Sequence, residues 1–328
     1  MSQPILKSST RLRRRLLLGL ASVALAAPLA LQAQTQAKVI RIGAPDFGVA
    51  GKPSPGGGML AIVQHNQWLE EEFARDGIKV EWNFFRGAGP AVAEALAAKQ
   101  LDLVSLGDLA SVIHKSRGLP TRFLFPSGRD SHSYLATAPG VMIKDWADLK
   151  GKKVAVLKGT AYQRPFDKLL ASAGLSEKDV KLINMDWPGS KAAVVAGQVD
   201  ATFGGADLFV LKDKGVGIAL STKGRGAGYG ISSGLLGTED FIQGNPQLTQ
   251  RVVKQLVRAA HWAGQEANRE ALIKLYADNN GSPQAVFRHD LEGENLNARY
   301  SPLIDEDFVA NYQGVIDDGL KLGLLRRG

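Results

Sequence analysis

The sequence predicts an α/β protein built from two similar lobes, and three observations support this prediction. Short apolar strands alternate with helices of amphipathic spacing along most of the chain, which is typical of sheets covered by helices. Residues 95–108 and 194–207 repeat one order of features: a helix, a turn, an aspartate, a strand and a loop with a further aspartate. A hydrophobic content of 45% with 7% aromatic residues fits a globular α/β protein. The repeat predicts two lobes of one architecture.

The first 37 residues are predicted to be a secretory signal peptide. Five basic residues and no acid precede an apolar run over residues 16–31, and small residues follow it. Cleavage after Ala33 or Ala37 is therefore expected. The apolar run is short for a membrane span and Pro28 interrupts it. The arginine run at 13–15 also fits a twin-arginine signal, so both export routes stay open.

Composition excludes several classes of function. The net charge is +8, but five of the positive charges lie in the predicted signal, so the basic balance does not indicate nucleic-acid binding. The chain has no cysteine, which excludes a lipoprotein anchor, a disulfide scaffold and thiol catalysis. The five histidines are scattered without the spacing of a metal site. Neither a metal nor a cofactor is expected.

The first half of the mature chain reads as strands and helices in alternation. An apolar strand over residues 39–44 leads into a loop rich in glycine and proline at residues 46–58. Apolar residues at helical spacing predict one helix over residues 59–73. Alternating apolar and polar residues predict a half-buried strand at 78–84, and Pro90 marks the first turn of the next helix.

The second half begins near Gly140 with the same pattern. A strand at residues 154–157 is followed by a small-residue loop, and Thr160 is predicted to cap the next helix. A glycine-rich return follows Leu220, and the remainder is predicted to be helical. Asn245 and Pro246 are expected at the cap and first position of a long helix.

The segment ADLKGKKVAVLKGT at residues 147–160 resembles periplasmic solute-binding proteins of ABC importers. The branch is the one that handles aliphatic sulfonates, nitrate, taurine and thiamine precursors, and the resemblance extends over residues 39–325. It implies a type II periplasmic-binding fold, in which two Rossmann-like lobes are joined by two crossing strands. The implied lobes are residues 38–137 plus 230–328 and residues 138–229, with crossings near Thr137 and Tyr229.

The resemblance also implies a function. The chain would be a periplasmic monomer that binds a small anion in the cleft, and an alkyl or aryl sulfonate is the expected ligand. It would close by a hinge motion and present the ligand to a permease and ATPase complex in the inner membrane. It would not be an enzyme. The long loop at 46–58 and the segment GGADLF around Asp207 depart from the family pattern, and both are expected to line the cleft.

Candidate ligand-binding residues lie in the loops that follow strands, because open α/β sheets bind ligands there. Residues 87–89 and 159–161 each open a helix at the end of a strand, one in each lobe. Helix starts carry free N–H groups and partial positive charge, which suits an oxyanion. The candidates are Asp46, Arg86, Gly87, Ala88, Gly89, Gly107, Asp108, Arg129, Gly159, Thr160, Ala161, Trp187 and Asp207.

Other functions remain open from the sequence alone. Residues 230–234 match the G-x-S-x-G pattern, so a secreted serine hydrolase using Ser232 is one alternative, although that motif needs a strand before it and a helix after it. Nitrate or a heterocycle related to a thiamine precursor is an alternative ligand. Relatives of this fold also make a thiamine pyrimidine, but the missing cysteines and the export signal argue against such an enzyme.

Overall fold

The computed structural model describes residues 37–49, 51–226 and 228–325. The predicted signal peptide, apart from Ala37, lies outside the described residues and stays a prediction. Within those ranges no helix is both long and apolar enough to cross a membrane.

The first sheet has five strands in the order β2-β1-β3-β10-β4. Strands β1, β2 and β3 are mutually parallel, while β10 runs antiparallel to both of its neighbours. The carboxyl ends of β1, β2 and β3 therefore lie at the same edge of the sheet. The strands are β1 (Val39–Pro45), β2 (Lys79–Phe85), β3 (Leu103–Gly107), β4 (Thr121–Ser131) and β10 (Ile231–Thr238).

The second sheet repeats this arrangement in the order β7-β6-β8-β5-β9. Strand β6 pairs in parallel with β7 and β8, as β1 does with β2 and β3, and β5 takes the antiparallel place of β10. The strands are β5 (Tyr134–Thr137), β6 (Lys153–Val156), β7 (Lys181–Asn184), β8 (Ala201–Gly204) and β9 (Gly217–Ser221). The predicted α/β fold of two similar lobes is confirmed.

Helices connect the strands and form the tail after β10. Short 3₁₀ helices at Trp146–Leu149, Glu177–Asp179, Ala206–Lys214 and Glu266–Asn268 complete the connections. The helices of the strand connections are α1 (Met59–His65), α2 (Trp68–Ala74), α3 (Ala88–Ala97), α4 (Asp108–Ser116), α5 (Gln163–Ser172) and α6 (Trp187–Val195). The tail helices are α7 (Glu239–Gly244), α8 (Pro246–Ala263), α9 (Arg269–Asn280), α10 (Gln284–Leu291), α11 (Leu296–Arg299) and α12 (Glu306–Lys321).

The single helix predicted over residues 59–73 is wrong, because the chain forms α1 and α2 with a break between them. Gln67 adopts a left-handed conformation at φ 55°, which a continuous helix does not allow. The Asn66 side chain donates to the Ile62 carbonyl at 2.9 Å and so satisfies a carbonyl near the end of α1. The predicted start of α8 is confirmed, with Asn245 at the cap and Pro246 at the first position.

The sequence repeat has a physical basis at the centre of each sheet. Asp102 accepts a hydrogen bond from the Arg41 N–H at 2.8 Å, and Asp200 accepts one from the Lys153 N–H at 2.7 Å. Each aspartate thus joins the start of one strand to the start of its neighbour. The turns before the two aspartates also match. A residue in the left-handed conformation lies three positions before each aspartate, Lys99 in the first lobe and Gly197 in the second. The two lobes therefore share their central strand connection down to single hydrogen bonds.

Both faces of the second sheet are covered. Val154 and Val156 pack into one apolar cluster with Phe166 of α5, and Ala155 packs into another with Val194 of α6. This alternation is what a strand buried on both faces requires. The first sheet is likewise covered, with the larger cluster formed against α1, α8 and α9. Ligand access is therefore left to the loops at the strand ends.

The chain changes sheets between Ser131 and Tyr134 and again between Ser221 and Ile231. We propose that the first lobe boundary lies at the first of these intervals, a few residues before the predicted crossing at Thr137, because β5 belongs to the second sheet. The predicted crossing near Tyr229 falls within the second interval.

A candidate ligand cavity between the lobes

A cavity of about 200 Å³ lies between the two lobes, where the strand ends of both sheets meet. Its polar lining includes serine hydroxyls from the first sheet, at Ser105 in β3, Ser127 in β4 and Ser233 in β10. Its aromatic lining includes Phe47, Tyr162, Trp187, Tyr276, Phe287 and Tyr300. A cavity with hydroxyls on one side and aromatic rings around it suits a small ligand that has a polar head and a carbon body.

The cavity brings together eight of the candidate residues. They are Ala88, Gly89, Gly107, Arg129, Thr160, Ala161, Trp187 and Asp207. The other five, Asp46, Arg86, Gly87, Asp108 and Gly159, are not among the residues that line it. Asp46 and Arg86 line a neighbouring pocket instead, and Gly87 caps α3 from an exposed position.

The two predicted helix starts approach each other across the cleft. A Cβ added to Gly89 would lie 3.7 Å from the Gly159 carbonyl oxygen, and one added to Gly159 would lie 3.3 Å from the Pro90 ring. Deeper in the cleft, a Cβ added to Gly107 would lie only 2.5 Å from the Cβ of Ala161. The absence of a side chain at these positions allows the two lobes to lie this close together.

The predicted capping role of Thr160 is wrong. Helix α5 begins at Gln163 and is preceded by Tyr162, which makes no side-chain cap. The Thr160 hydroxyl donates instead to the Leu157 carbonyl at 2.7 Å, and Thr160 is buried. The hydroxyl therefore holds the turn after β6 in shape. The Gly159 N–H is also taken, since it donates to the Gln163 side chain at 2.8 Å.

The long first loop folds over the cavity. Asp46 accepts hydrogen bonds from the Gly48 and Ser54 N–H groups at 3.0 and 3.1 Å, so its carboxylate shapes the loop. Phe47 stacks on Trp187 of α6 with ring centroids 4.3 Å apart. Because the two rings belong to different lobes, this stack closes one side of the cavity.

Asp108, a predicted ligand-binding residue, is buried and is not among the residues that line the cavity. The residue is 1% exposed, and its carboxylate accepts hydrogen bonds from the Ser232 N–H at 3.0 Å and the Leu109 N–H at 2.7 Å. Burial raises the pKa of Asp108 to about 6, although the Ser232 N–H and the charge of Arg164 oppose this. The group links α4 to β10 behind the cavity.

We expect Asp108→Asn to remove part of the pH dependence of stability. The raised pKa means that the native state binds more protons than the unfolded chain, so wild-type stability falls as pH rises from about 4 to about 6 and stays lower above it. Asparagine keeps an acceptor and carries no charge. Urea unfolding between pH 4 and 7 should give a flatter profile for Asp108→Asn. An unchanged slope would contradict the assignment, and Asp307→Asn, at an exposed position, serves as the control.

Arg129 lines the cavity, but its guanidinium is engaged elsewhere. It donates to both carboxylate oxygens of Asp305 at 3.1 and 3.0 Å and to the Leu303 carbonyl, and it lies over the Phe308 ring. Asp207 is paired too, since Lys191 donates to it at 2.7 Å. The charges at the wall are therefore largely balanced by neighbours.

A buried ionic network at the cavity was missed by the sequence reasoning. Arg299 donates to Asp290 at 2.8 Å and to Glu294 at 3.3 Å, and its side chain is 7% exposed. Tyr134 donates to Asp290 at 3.0 Å, and His132 is hydrogen-bonded to Glu294 at 2.9 Å. Both carboxylates precede Arg299 in the predicted helical tail, but no spacing in the sequence indicates that His132, after β4, and Tyr134, at the start of β5, contact them.

The G-x-S-x-G segment does not form a nucleophile elbow. Ser232 lies inside β10, is 5% exposed and uses its N–H on Asp108. The strand continues to Thr238 before the next helix begins, whereas an elbow needs a sharp turn into a helix directly at the serine. The geometry that the hydrolase alternative requires is therefore absent at this serine.

Comparisons with known proteins agree with this geometry. The model of the NMT1/THI5-like family matches residues 72–269. A protein of Bacillus subtilis (strain 168) named for binding aliphatic sulfonates is 28% identical over 285 residues, which is 86% of this chain and 81% of that protein.

Solved structures extend the comparison. A periplasmic sulfonate-binding protein of a sulfonate ABC transporter from Methylobacillus flagellatus KT is 31% identical with a TM-score of 0.72, and the match covers 89% of both chains. The alkanesulfonate-binding protein from Xanthomonas axonopodis pv. citri, bound to MOPS, shares the fold with a TM-score of 0.74 at 23% identity, covering 89% of this chain and 96% of that one. The chain therefore belongs to the NMT1/THI5-like family, among the solute-binding proteins of ABC importers that its sequence resembles.

Proposed function

We propose that this protein binds a small organic anion, an alkyl or aryl sulfonate, in the cavity between its lobes. It acts in the periplasm and delivers the ligand to an ABC permease with its ATPase. The observation that carries the proposal is the contact between the start of α3, at Gly89, and the turn after β6, at Gly159, beside a cavity lined with hydroxyls and aromatic rings. The names of the relatives from Bacillus and Methylobacillus support the same ligand class.

The helix start in the first lobe supplies donors without a side-chain charge. The first N–H groups of α3, at Ala88 and Gly89, have no acceptor within the helix and lie at the cavity. A helix of this length also carries partial positive charge at its start. A sulfonate is ionised at all physiological pH values, accepts several hydrogen bonds and needs no proton from the protein.

The charged side chains at the wall do not supply the recognition. Arg129, Asp207 and Arg299 each have an oppositely charged neighbour within 3.0 Å. An anion would therefore be held by N–H groups and hydroxyls, as in other backbone anion sites. The aromatic lining then contacts the carbon body of the ligand.

Calorimetry with matched ligands tests the proposal. We expect 1-butanesulfonate to bind at least tenfold more tightly than 1-butanesulfonamide, because the two have the same carbon body and only the first is an anion at pH 7. Thr160→Val should weaken sulfonate binding roughly twofold to tenfold by loosening the turn after β6, since one hydrogen bond contributes about 0.5–1.5 kcal/mol. Lys254→Ala, at an exposed position away from both pockets, is the control and should bind within twofold of wild type. Equal binding of the sulfonate and the sulfonamide would refute the proposal.

A further inference from the structure

A second pocket of about 570 Å³ lies along the seam between the lobes, and we call it the seam pocket. Its first-lobe side consists of the loop around Asp46 to Pro53 and Arg86 at the end of β2. Its second-lobe side consists of α6 and the 3₁₀ helix at Ala206–Lys214. Both lobes therefore contribute to it, as they do to the inner cavity.

Four cations and one carboxylate line the seam pocket. Lys52 and Arg86 come from the first lobe, and Lys191 and Lys214 come from the second. The carboxylate is Asp46, which is already committed to the N–H groups of its own loop. Within the described ranges, the Arg86 and Lys214 side chains are exposed and have no hydrogen-bond or ion-pair partner. Lys191 is paired with Asp207, and Lys52 donates to the Asp278 carbonyl. Among the described residues, the lining cations without a partner are therefore Arg86 on the first-lobe side and Lys214 on the second-lobe side.

The seam pocket adjoins the inner cavity, because neighbouring residues line the two spaces. Phe47 faces the inner cavity while its neighbours Asp46 and Gly48 line the seam pocket. Lys191 of the seam pocket and Asp207 of the inner cavity form an ion pair 2.7 Å long. The ring stack of Phe47 on Trp187 and this ion pair therefore lie where the two pockets adjoin.

We propose that the seam pocket is an anion-collecting vestibule for the inner cavity. When the lobes separate, its cations stand on both rims of the opening and raise the local concentration of organic anions. Apolar residues of α6 and the 3₁₀ helix, such as Val195, Val210 and Leu211, accommodate the carbon body. This inference rests on the proposed function, because the vestibule serves a cavity that takes an anion.

The vestibule acts on the rate of entry and not on the bound state. Exposed charges attract a ligand over roughly 30 Å at 0.01 M ionic strength but only about 3 Å at 1 M. Charges at the rim of a binding site change the association rate and its salt dependence more than the dissociation rate. The proposal therefore predicts a kinetic signature that a merely structural role of these residues would not produce.

Stopped-flow mixing with 1-butanesulfonate, followed by tryptophan fluorescence, tests the vestibule. We expect the double variant Arg86→Gln/Lys214→Gln to associate three- to tenfold more slowly than wild type at about 0.01 M ionic strength. Its dissociation rate should stay within twofold of wild type. At about 1 M salt the two proteins should associate at the same rate.

The control variant is Lys178→Gln/Lys254→Gln, which removes two exposed cations, one from each lobe, away from the seam pocket. It has the same net charge as the test variant and should associate like wild type. Equal slowing in both double variants, or no slowing in either, would overturn the vestibule while leaving anion binding intact. A wild-type protein that binds no sulfonate would overturn both proposals.

Discussion

Gly107→Ala is expected to weaken ligand binding roughly tenfold to a hundredfold while leaving the unliganded protein folded. The added Cβ would lie 2.5 Å from the Cβ of Ala161 in the opposite lobe, far inside van der Waals contact. Overpacking of this kind costs about 1–3 kcal/mol, and each 1.4 kcal/mol changes affinity about tenfold. Because Gly107 has an ordinary extended backbone, alanine introduces no strain while the lobes are apart. The penalty therefore falls on the closed state alone.

A compensating variant separates this effect from general damage. Gly107→Ala/Ala161→Gly moves the methyl group from one lobe to the other and should restore binding to within about threefold of wild type. Calorimetry with 1-butanesulfonate measures the affinity, and urea unfolding measures stability without ligand. Solution scattering of Gly107→Ala should show a larger radius of gyration at saturating ligand than wild type. Failure of the double variant to recover would show that the contact with Ala161 is not the cause.

Arg299→Leu is expected to destabilise the protein by about 3–5 kcal/mol, because removing one partner of a buried ion pair leaves the other charge uncompensated. Asp290 and Glu294 both face Arg299, and their side chains are only 15% and 21% exposed. Leucine fills much of the space of the arginine side chain. The lost stability is therefore due mainly to the unpaired carboxylates of Asp290 and Glu294 and not to a cavity. Urea unfolding at pH 7 measures the change.

The deficit of Arg299→Leu should shrink as the pH falls. In the wild type, burial acts to raise the pKa of Glu294, but the hydrogen bond to His132 and the charge of Arg299 hold it below its ordinary value. That depressed pKa contributes stability above pH ~4.5 that is lost in acid, and the variant lacks the Arg299 part of it. Arg288→Leu is the matched control, because its pairing with Glu270 is exposed and contributes about 1 kcal/mol or less. A similar loss in both variants would contradict the buried-network argument.

The sequence predicted the fold because local signals and the global architecture agree. The repeat around Asp102 and Asp200 indicated two lobes, and the aspartates make equivalent hydrogen bonds to β1 and β6. Glycine-rich loops at strand ends indicated where the lobes meet, and Gly89 and Gly107 do lie at the contact. Features of the fold that are set by residues close together in the sequence could therefore be predicted.

The rest of the site depends on contacts between residues far apart in the chain. Arg299 and Tyr134 lie more than 160 positions apart yet share Asp290, and nothing in the local sequence indicates that pairing. The charge of Arg86 makes it a candidate anion ligand, but its position directly after β2 places it at the seam pocket and not at the inner cavity. Threonine is a common helix cap, but the Thr160 hydroxyl donates to the nearby Leu157 carbonyl and so does not cap α5.

The place of β10 sets an order of assembly. The second sheet is made from one continuous stretch, β5 to β9, whereas the first sheet needs β10 between β3 and β4. During synthesis, the second lobe can therefore complete its sheet while the first still presents two unpaired strand edges. Such edges are sites of mispairing until they are covered. The first lobe depends on strand pairings of long sequence separation, which form slowly, so its completion is expected to limit the rate of folding.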